Sequence, residues 1–222
     1  MNHNASNSQE LKEANKSVYF PVTSVDFTVP KQMKSEKFNV LSIDRFGSLM
    51  EFNLTINAFI NFVRSLPKTE QYNCKLTLIG TRDEKELYQK IIVHNDAKDR
   101  IEILDCMDQK TLMQKYQNAK VILFPSHEAA GIVIAEALSF SLPVICLDND
   151  HPGQYITDSV GIALPNQAFN ETVNDLKLAF LKLYKFPNLT EIMSNQARKH
   201  FEENYIGESR GTHLKNSYDE TA

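Results

Sequence analysis

The sequence predicts an α/β domain whose parallel sheet is covered by helices on both faces. Two observations carry the prediction. Strand-patterned and helix-patterned blocks alternate with short turns between them, the signature of repeated right-handed βαβ units. Residues 121–124 and 143–147 are apolar at nearly every position, as strands buried on both faces require.

The blocks follow in order. Residues 38–43 form a short apolar run, read as a strand. Residues 52–66 place Phe52, Ile56, Phe59, Ile60, Val63 and Leu66 at helical spacing, and Pro67 ends the run. Residues 75–79 read as a strand closed by Gly80, and 83–93 as a charged amphipathic helix. A strand over 101–104 precedes a helix over 108–118, for which Asp108 is a suitable N-cap. Residues 121–124 form a strand closed by Pro125, 132–140 an apolar helix, 143–147 a strand and 161–164 a last short strand. Two or three helices fill roughly residues 172–218. The pattern is that of a single Rossmann-like domain over residues 18–222. It follows a polar tail, residues 1–17, rich in Asn, Ser and Lys and expected to be disordered.

Composition bounds the function. Of 222 residues, 42% are hydrophobic and 23% charged, enough to build a core and to exclude global disorder. Lys plus Arg is 24 against 28 Asp plus Glu, a formal net charge of -4, so the basic excess of a duplex-DNA binder is missing. Cys74, Cys106 and Cys146 are too few and too far apart for a disulfide framework or a zinc site. They read as buried free thiols in a reducing compartment. No apolar leader opens the chain, so a cytoplasmic location is expected. Residues 129–147 carry one charge, Glu136, over a length near that of a membrane span. That carboxylate, Pro143, Ser139 and Ser141 instead favour a buried helix followed by a buried strand; peripheral membrane contact stays open.

Open α/β sheets bind ligands beyond the carboxyl ends of their strands. The candidate positions are therefore residues 44–47, 80–82, 105–107, 126–131 and 148–153. The most informative segment is Phe124-Pro-Ser-His-Glu-Ala-Ala-Gly-Ile-Val-Ile-Ala-Glu136. Gly131, with Ala129 and Ala130, lets a ligand approach the backbone, and the helix start offers N–H groups suited to a diphosphate. Glu136 lies among Ile132, Val133, Ile134, Ala135, Ala137 and Leu138. A carboxylate there is costly unless something donates hydrogen bonds to it. A pair of ligand hydroxyls would serve; so would backbone N–H groups from a neighbouring loop. The two alternatives stand level on chemistry alone. No Gly-x-Gly-x-x-Gly follows the first strand, which counts against a dinucleotide oxidoreductase. His94, His127, His151 and His200 show no metal-ligand spacing.

Glu128 and Glu136, seven residues apart with Gly131 between them and Pro143-Val-Ile downstream, resemble the Glu-x7-Glu motif of retaining glycosyltransferases of family 4. The resemblance is to the C-terminal, nucleotide-sugar-binding half of their two-domain GT-B fold, over roughly residues 18–218. It includes Leu41-Ser-Ile-Asp-Arg45, Leu76-Thr-Leu-Ile-Gly80, Val121-Ile-Leu-Phe-Pro-Ser126, Leu147-Asp-Asn-Asp-His-Pro-Gly153 and Gly161-Ile-Ala-Leu-Pro165, in the family's order. It implies that Glu136 binds the donor's ribose hydroxyls and that Glu128 contacts the transferred sugar. The backbone at Gly131, Ile132 and Val133 would hold the diphosphate, and Arg45 would pair with it as it leaves. The donor would be a UDP- or GDP-type nucleotide sugar, transferred with retention and without a cofactor or bound metal.

The sequence departs from the family in places. Met50 stands where a Lys usually partners the Arg, Asp44 where Gly is usual, and Gln154 where many members have Glu. Only residues 1–37 precede the first strand, too few for the acceptor domain, so activity would need a separate acceptor-binding chain. Met50 and Asp44 also suit a non-catalytic, nucleotide-sugar-binding remnant. A third reading takes Asp148-Asn149-Asp150 as the metal motif of a GT-A enzyme.

Overall fold

The sheet has six parallel strands in the order β3-β2-β1-β4-β5-β6. The structure, a computed structural model, describes residues 37–43, 51–80, 85–125, 131–148, 153 and 156–205. The strands are β1 (Phe38–Ile43), β2 (Cys74–Ile79), β3 (Ile101–Leu104), β4 (Val121–Phe124), β5 (Val144–Asp148) and β6 (Gly161–Pro165). The helices are α1 (Glu51–Arg64), α2 (Lys85–His94), α3 (Gln109–Asn118), α4 (Gly131–Ser139), α5 (Phe169–Lys185) and α6 (Pro187–Asn204).

Each strand expected from sequence is present, with ends within one residue of the expected ones. The reason is burial. In β1, Phe38 and Val40 face one helical layer while Leu41 and Ile43 face the other, so the strand carries apolar residues on both faces, with Asn39 and Ser42 between them. One layer packs α1, α2 and α5 on the sheet; the other packs α3 and α4. Helix α6 serves both, with Met193 in the first layer and Ala197 and Phe201 in the second.

The helix ends show where pattern reading slips. Helix α1 stops at Arg64, short of Leu66, because Ser65 and Leu66 close a turn before Pro67 (Leu66 N to Val63 O, 3.0 Å). Helix α5 starts at Phe169, three residues earlier than expected. Its cap residue, Ala168, makes no side-chain capping bond, so the usual polar signal is missing. Pro187 then opens α6 at a position where its missing N–H does no harm. The Asp108 cap is as expected, with its carboxylate accepting from the Thr111 N–H at 3.0 Å.

Helix α3 is tied to the sheet edge through Glu102 of β3. Thr77 Oγ1 of β2 donates to Glu102 at 2.8 Å, and Lys115 Nζ donates at 3.1 Å. Burial alone would raise the Glu102 pKa. The hydrogen bonds from Thr77 and Lys115, with the charges of Lys115 and Lys75, outweigh it and hold the group below 4.5. The unfolded chain therefore takes up this proton first as pH falls. The stabilisation is present above pH 4.5 and is lost as pH drops through the lowered folded value. Thr77→Val, which keeps the shape and removes the donor, should destabilise the protein at pH 7, and the gap to wild type should close in acid. Urea melts across the pH range check this; a gap independent of pH would mean the effect is packing alone.

Candidate functional site

The topology picks the position. From β1 the chain builds outward through β2 and β3, then returns to pair β4 with the other side of β1 (Val40 with Val121, Leu41 with Ile122) and builds outward through β5 and β6. The direction reverses between β1 and β4. The crevice beyond the carboxyl ends at such a reversal is where open α/β sheets take ligands. Strand β4 and Pro125 are buried, and α4 begins at Gly131, so a strand and then a helix stand in the order expected from sequence; residues 126–130 lie outside the described residues.

Helix α4 has an apolar body. Val133, Ile134, Ala135, Ala137 and Leu138 are buried, and Ile132 is half-buried. Gly131, Ile132 and Val133 occupy the first turn, whose N–H groups lack acceptors within a helix and sit at its positive end. Arg198 Nη1 of α6 donates to the Ser139 carbonyl at 2.8 Å and satisfies the other end.

Glu136 is half-buried in this helix, and its carboxylate has a donor inside the protein. The Tyr116 hydroxyl of α3 donates to Glu136 Oε2 at 2.8 Å. Tyr116 is 1% exposed, and its ring stacks on Phe140 with centroids 5.1 Å apart and planes 5° from parallel. The observed donor is thus a phenol, a group that neither sequence alternative for Glu136 named. The sequence placed Tyr116 on a helix, but the contact depends on α3 and α4 lying side by side, and periodicity carries no such signal.

Of the expected site residues, Gly131, Ile132, Val133 and Glu136 come together on α4. Arg45 and Glu128 lie outside the described residues, as do Asp44, Met50, Arg82, His127, Asp150, His151 and Gln154. Asp148 ends β5 and is exposed. A side chain added at Gly153 would collide with its carboxylate and come within 3.0 Å of its Cα, so the Asp148 side chain packs against Gly153. Among the described residues, no group of three His, Cys, Asp or Glu could hold a metal ion. His94 is exposed at the end of α2. His200 of α6 is half-buried, and burial pushes its pKa down.

The cysteines differ from expectation in one case. Cys74 and Cys146 are buried, and burial, helped by Glu70 and Asp148 respectively, pushes both thiols up to about 12, away from reactive thiolate. Cys106 is exposed, because β3 ends at Leu104 and carries it beyond the sheet. Residues 129–147 divide into α4 and β5 as expected. Among the described residues no helix is long and apolar enough to cross a membrane.

These features, a parallel sheet with a β1/β4 reversal and a carboxylate-bearing apolar helix after β4, belong to the GT-B glycosyltransferase fold. The family model described as "Glycosyl transferases group 1" matches residues 28–200, and the chain belongs to that family. Among curated relatives, human alpha-1,3/1,6-mannosyltransferase ALG2 is 27% identical over 169 residues, covering 68% of this chain and 41% of that protein. The chain therefore spans about two fifths of that relative's length. Two solved structures share the fold. The pneumococcal O-GlcNAc transferase GtfA, in complex with UDP and GlcNAc, gives a TM-score of 0.76 at 19% identity, over 97% of this chain and 44% of that one. The C-terminal domain of the glycosyl transferase group 1 family protein LpcC from Francisella tularensis gives 0.66 at 16% identity, over 82% of this chain and 99% of that one. The reading of Asp148-x-Asp150 as a GT-A metal motif is corrected by this family and fold, which are GT-B.

Proposed function

We propose that residues 18–222 form the donor-binding half of a retaining GT-B glycosyltransferase of the family 4 type. It binds a nucleotide-diphosphate sugar and transfers a hexose-type sugar together with an acceptor-binding domain or a separate acceptor-binding chain. The observation that carries the reading is Glu136: a carboxylate on the apolar helix that follows β4, beside the β1/β4 reversal, in a chain of this family. In this reading Glu136 accepts the ribose hydroxyls, and the first-turn N–H groups of Gly131, Ile132 and Val133 hold the diphosphate. Glu128 contacts the sugar, and Arg45 stabilises the charge that gathers on the diphosphate as it leaves. A guanidinium and a helix N-terminus supply that positive field without a metal ion or cofactor. The resemblance in length and fold to a separate C-terminal domain of another family member supports the domain assignment.

The test uses the full chain. UDP or GDP should raise its melting temperature, and the shift should persist in excess EDTA. A nucleotide shift that appears only with Mn²⁺ or Mg²⁺ would contradict the metal-free phosphate site.

A second reading has a specific observation in its favour. Met50 replaces the usual second phosphate cation, which suits a binding module without turnover. Adding an acceptor-domain chain separates the two: sugar transfer supports the enzyme, and nucleotide binding without transfer supports the module.

A further inference from the structure

We infer that Tyr116 is a positioning residue for the donor's ribose, acting through Glu136. The inference rests on the proposed role of Glu136 and adds a residue that no motif of the sequence marks.

The Tyr116 ring cannot itself be a ligand contact, because the residue is 1% exposed. Its hydroxyl donates to Glu136 Oε2 at 2.8 Å. The ring has little freedom. It lies flat on Phe140, the residue that follows α4, at a centroid distance of 5.1 Å. The adjacent Lys115 also pairs with Glu102, which accepts from Thr77 of β2, so the same turn of α3 has a link to the sheet. Burial and the stack on Phe140 hold the phenol oxygen where one oxygen of Glu136 is bound.

That arrangement has two consequences. A Glu side chain has three rotatable bonds, and pinning one oxygen selects the orientation of the carboxylate before any ligand arrives; the ordering cost is then not met on binding. Donation to the carboxylate also favours its charged form, which is the stronger acceptor for a hydroxyl. A carboxylate offers roughly four lone-pair sites, so a phenol and the two hydroxyls of a ribose can share it. Tyr116 should matter for ribose recognition alone, because its hydroxyl supports the carboxylate and adds nothing to the backbone N–H donors that would meet the diphosphate.

The experiment compares UDP and GDP with their 2′,3′-dideoxy forms by calorimetry, on the full-length wild type and on Tyr116→Phe, which keeps the ring and its stack. Wild type should prefer the ribose forms. Tyr116→Phe should weaken their binding about three- to tenfold and leave the dideoxy forms unchanged, the size expected for losing support to one charged hydrogen-bond acceptor. In a Glu136→Ala background, the same change should have no further effect. A purely structural role would weaken both forms equally or lower the melting temperature alone. If wild type discriminates and Tyr116→Phe discriminates equally well, the inference is overturned and the Glu136 reading stands. If wild type binds both forms equally, or binds neither, the ribose reading fails and takes this inference with it.

Discussion

Phe62→Ala should destabilise the protein by about 3–5 kcal/mol, the range for emptying a buried aromatic site. Phe62 projects from α1 with no exposed surface, into the layer shared with β1 and α5. Its ring centroid lies 5.6 Å from those of Phe38 and Phe180, 5.9 Å from Phe59 and 5.7 Å from Tyr184. Such tilted and edge-on pairs add to the transfer term, and the ring meets α5, β1 and Phe59 of its own helix, so no single neighbour can collapse into the gap. In a chain of this size the loss corresponds to a fall in melting temperature on the order of 10 °C. Urea unfolding of the purified variant measures it. A loss under about 1 kcal/mol would mean that the aromatic cluster is not the centre of this layer.

Gly161→Ala should also be costly, for a different reason. Gly161 opens β6 beside Val144 of β5. A Cβ there would overlap the Val144 carbonyl oxygen and come within 2.7 Å of Ile156 Cγ2. The carbonyl is backbone and cannot turn aside, so β6 must move away from β5. Overpacking of this kind costs about 1–3 kcal/mol, and the backbone clash places Gly161→Ala at the upper end or beyond. The expected result is a lower urea midpoint, with proteolysis concentrated between residues 148 and 170. Stability equal to wild type would show that β6 is loosely joined to the sheet.

The central strands were legible because they are buried on both faces, and a run such as Val-Ile-Leu-Phe at 121–124 admits few other readings. Their order in the sheet was not legible, since the return from β3 to pair β4 with β1 leaves no mark in the pattern of either strand. Glu136 stood out because a lone carboxylate in an apolar helix demands a partner. The partner itself was not legible. Tyr116 and Glu136 are twenty residues apart on different helices, and only their packing brings the hydroxyl to the carboxylate. Asp148 was read from its spacing to Asp150, whereas its observed neighbour is Gly153, a contact that spacing does not announce. Cys106 was grouped with two buried thiols because cysteines are usually buried, but the strand before it ends too soon to cover it. The path of α6 across both layers was equally hidden, since its amphipathic pattern does not say which core each face meets.

The most direct test of the donor-site assignment is calorimetry of UDP and GDP on wild type and Glu136→Ala. Hydrogen bonds to a charged acceptor contribute about 1.5–3 kcal/mol each. Affinity for the nucleoside diphosphate should fall roughly tenfold or more, since about 1.4 kcal/mol is a factor of ten. The far-ultraviolet circular dichroism should stay that of the wild type. Unchanged affinity in a folded Glu136→Ala protein would contradict the account, leaving Glu136 with a structural role as an acceptor inside the protein.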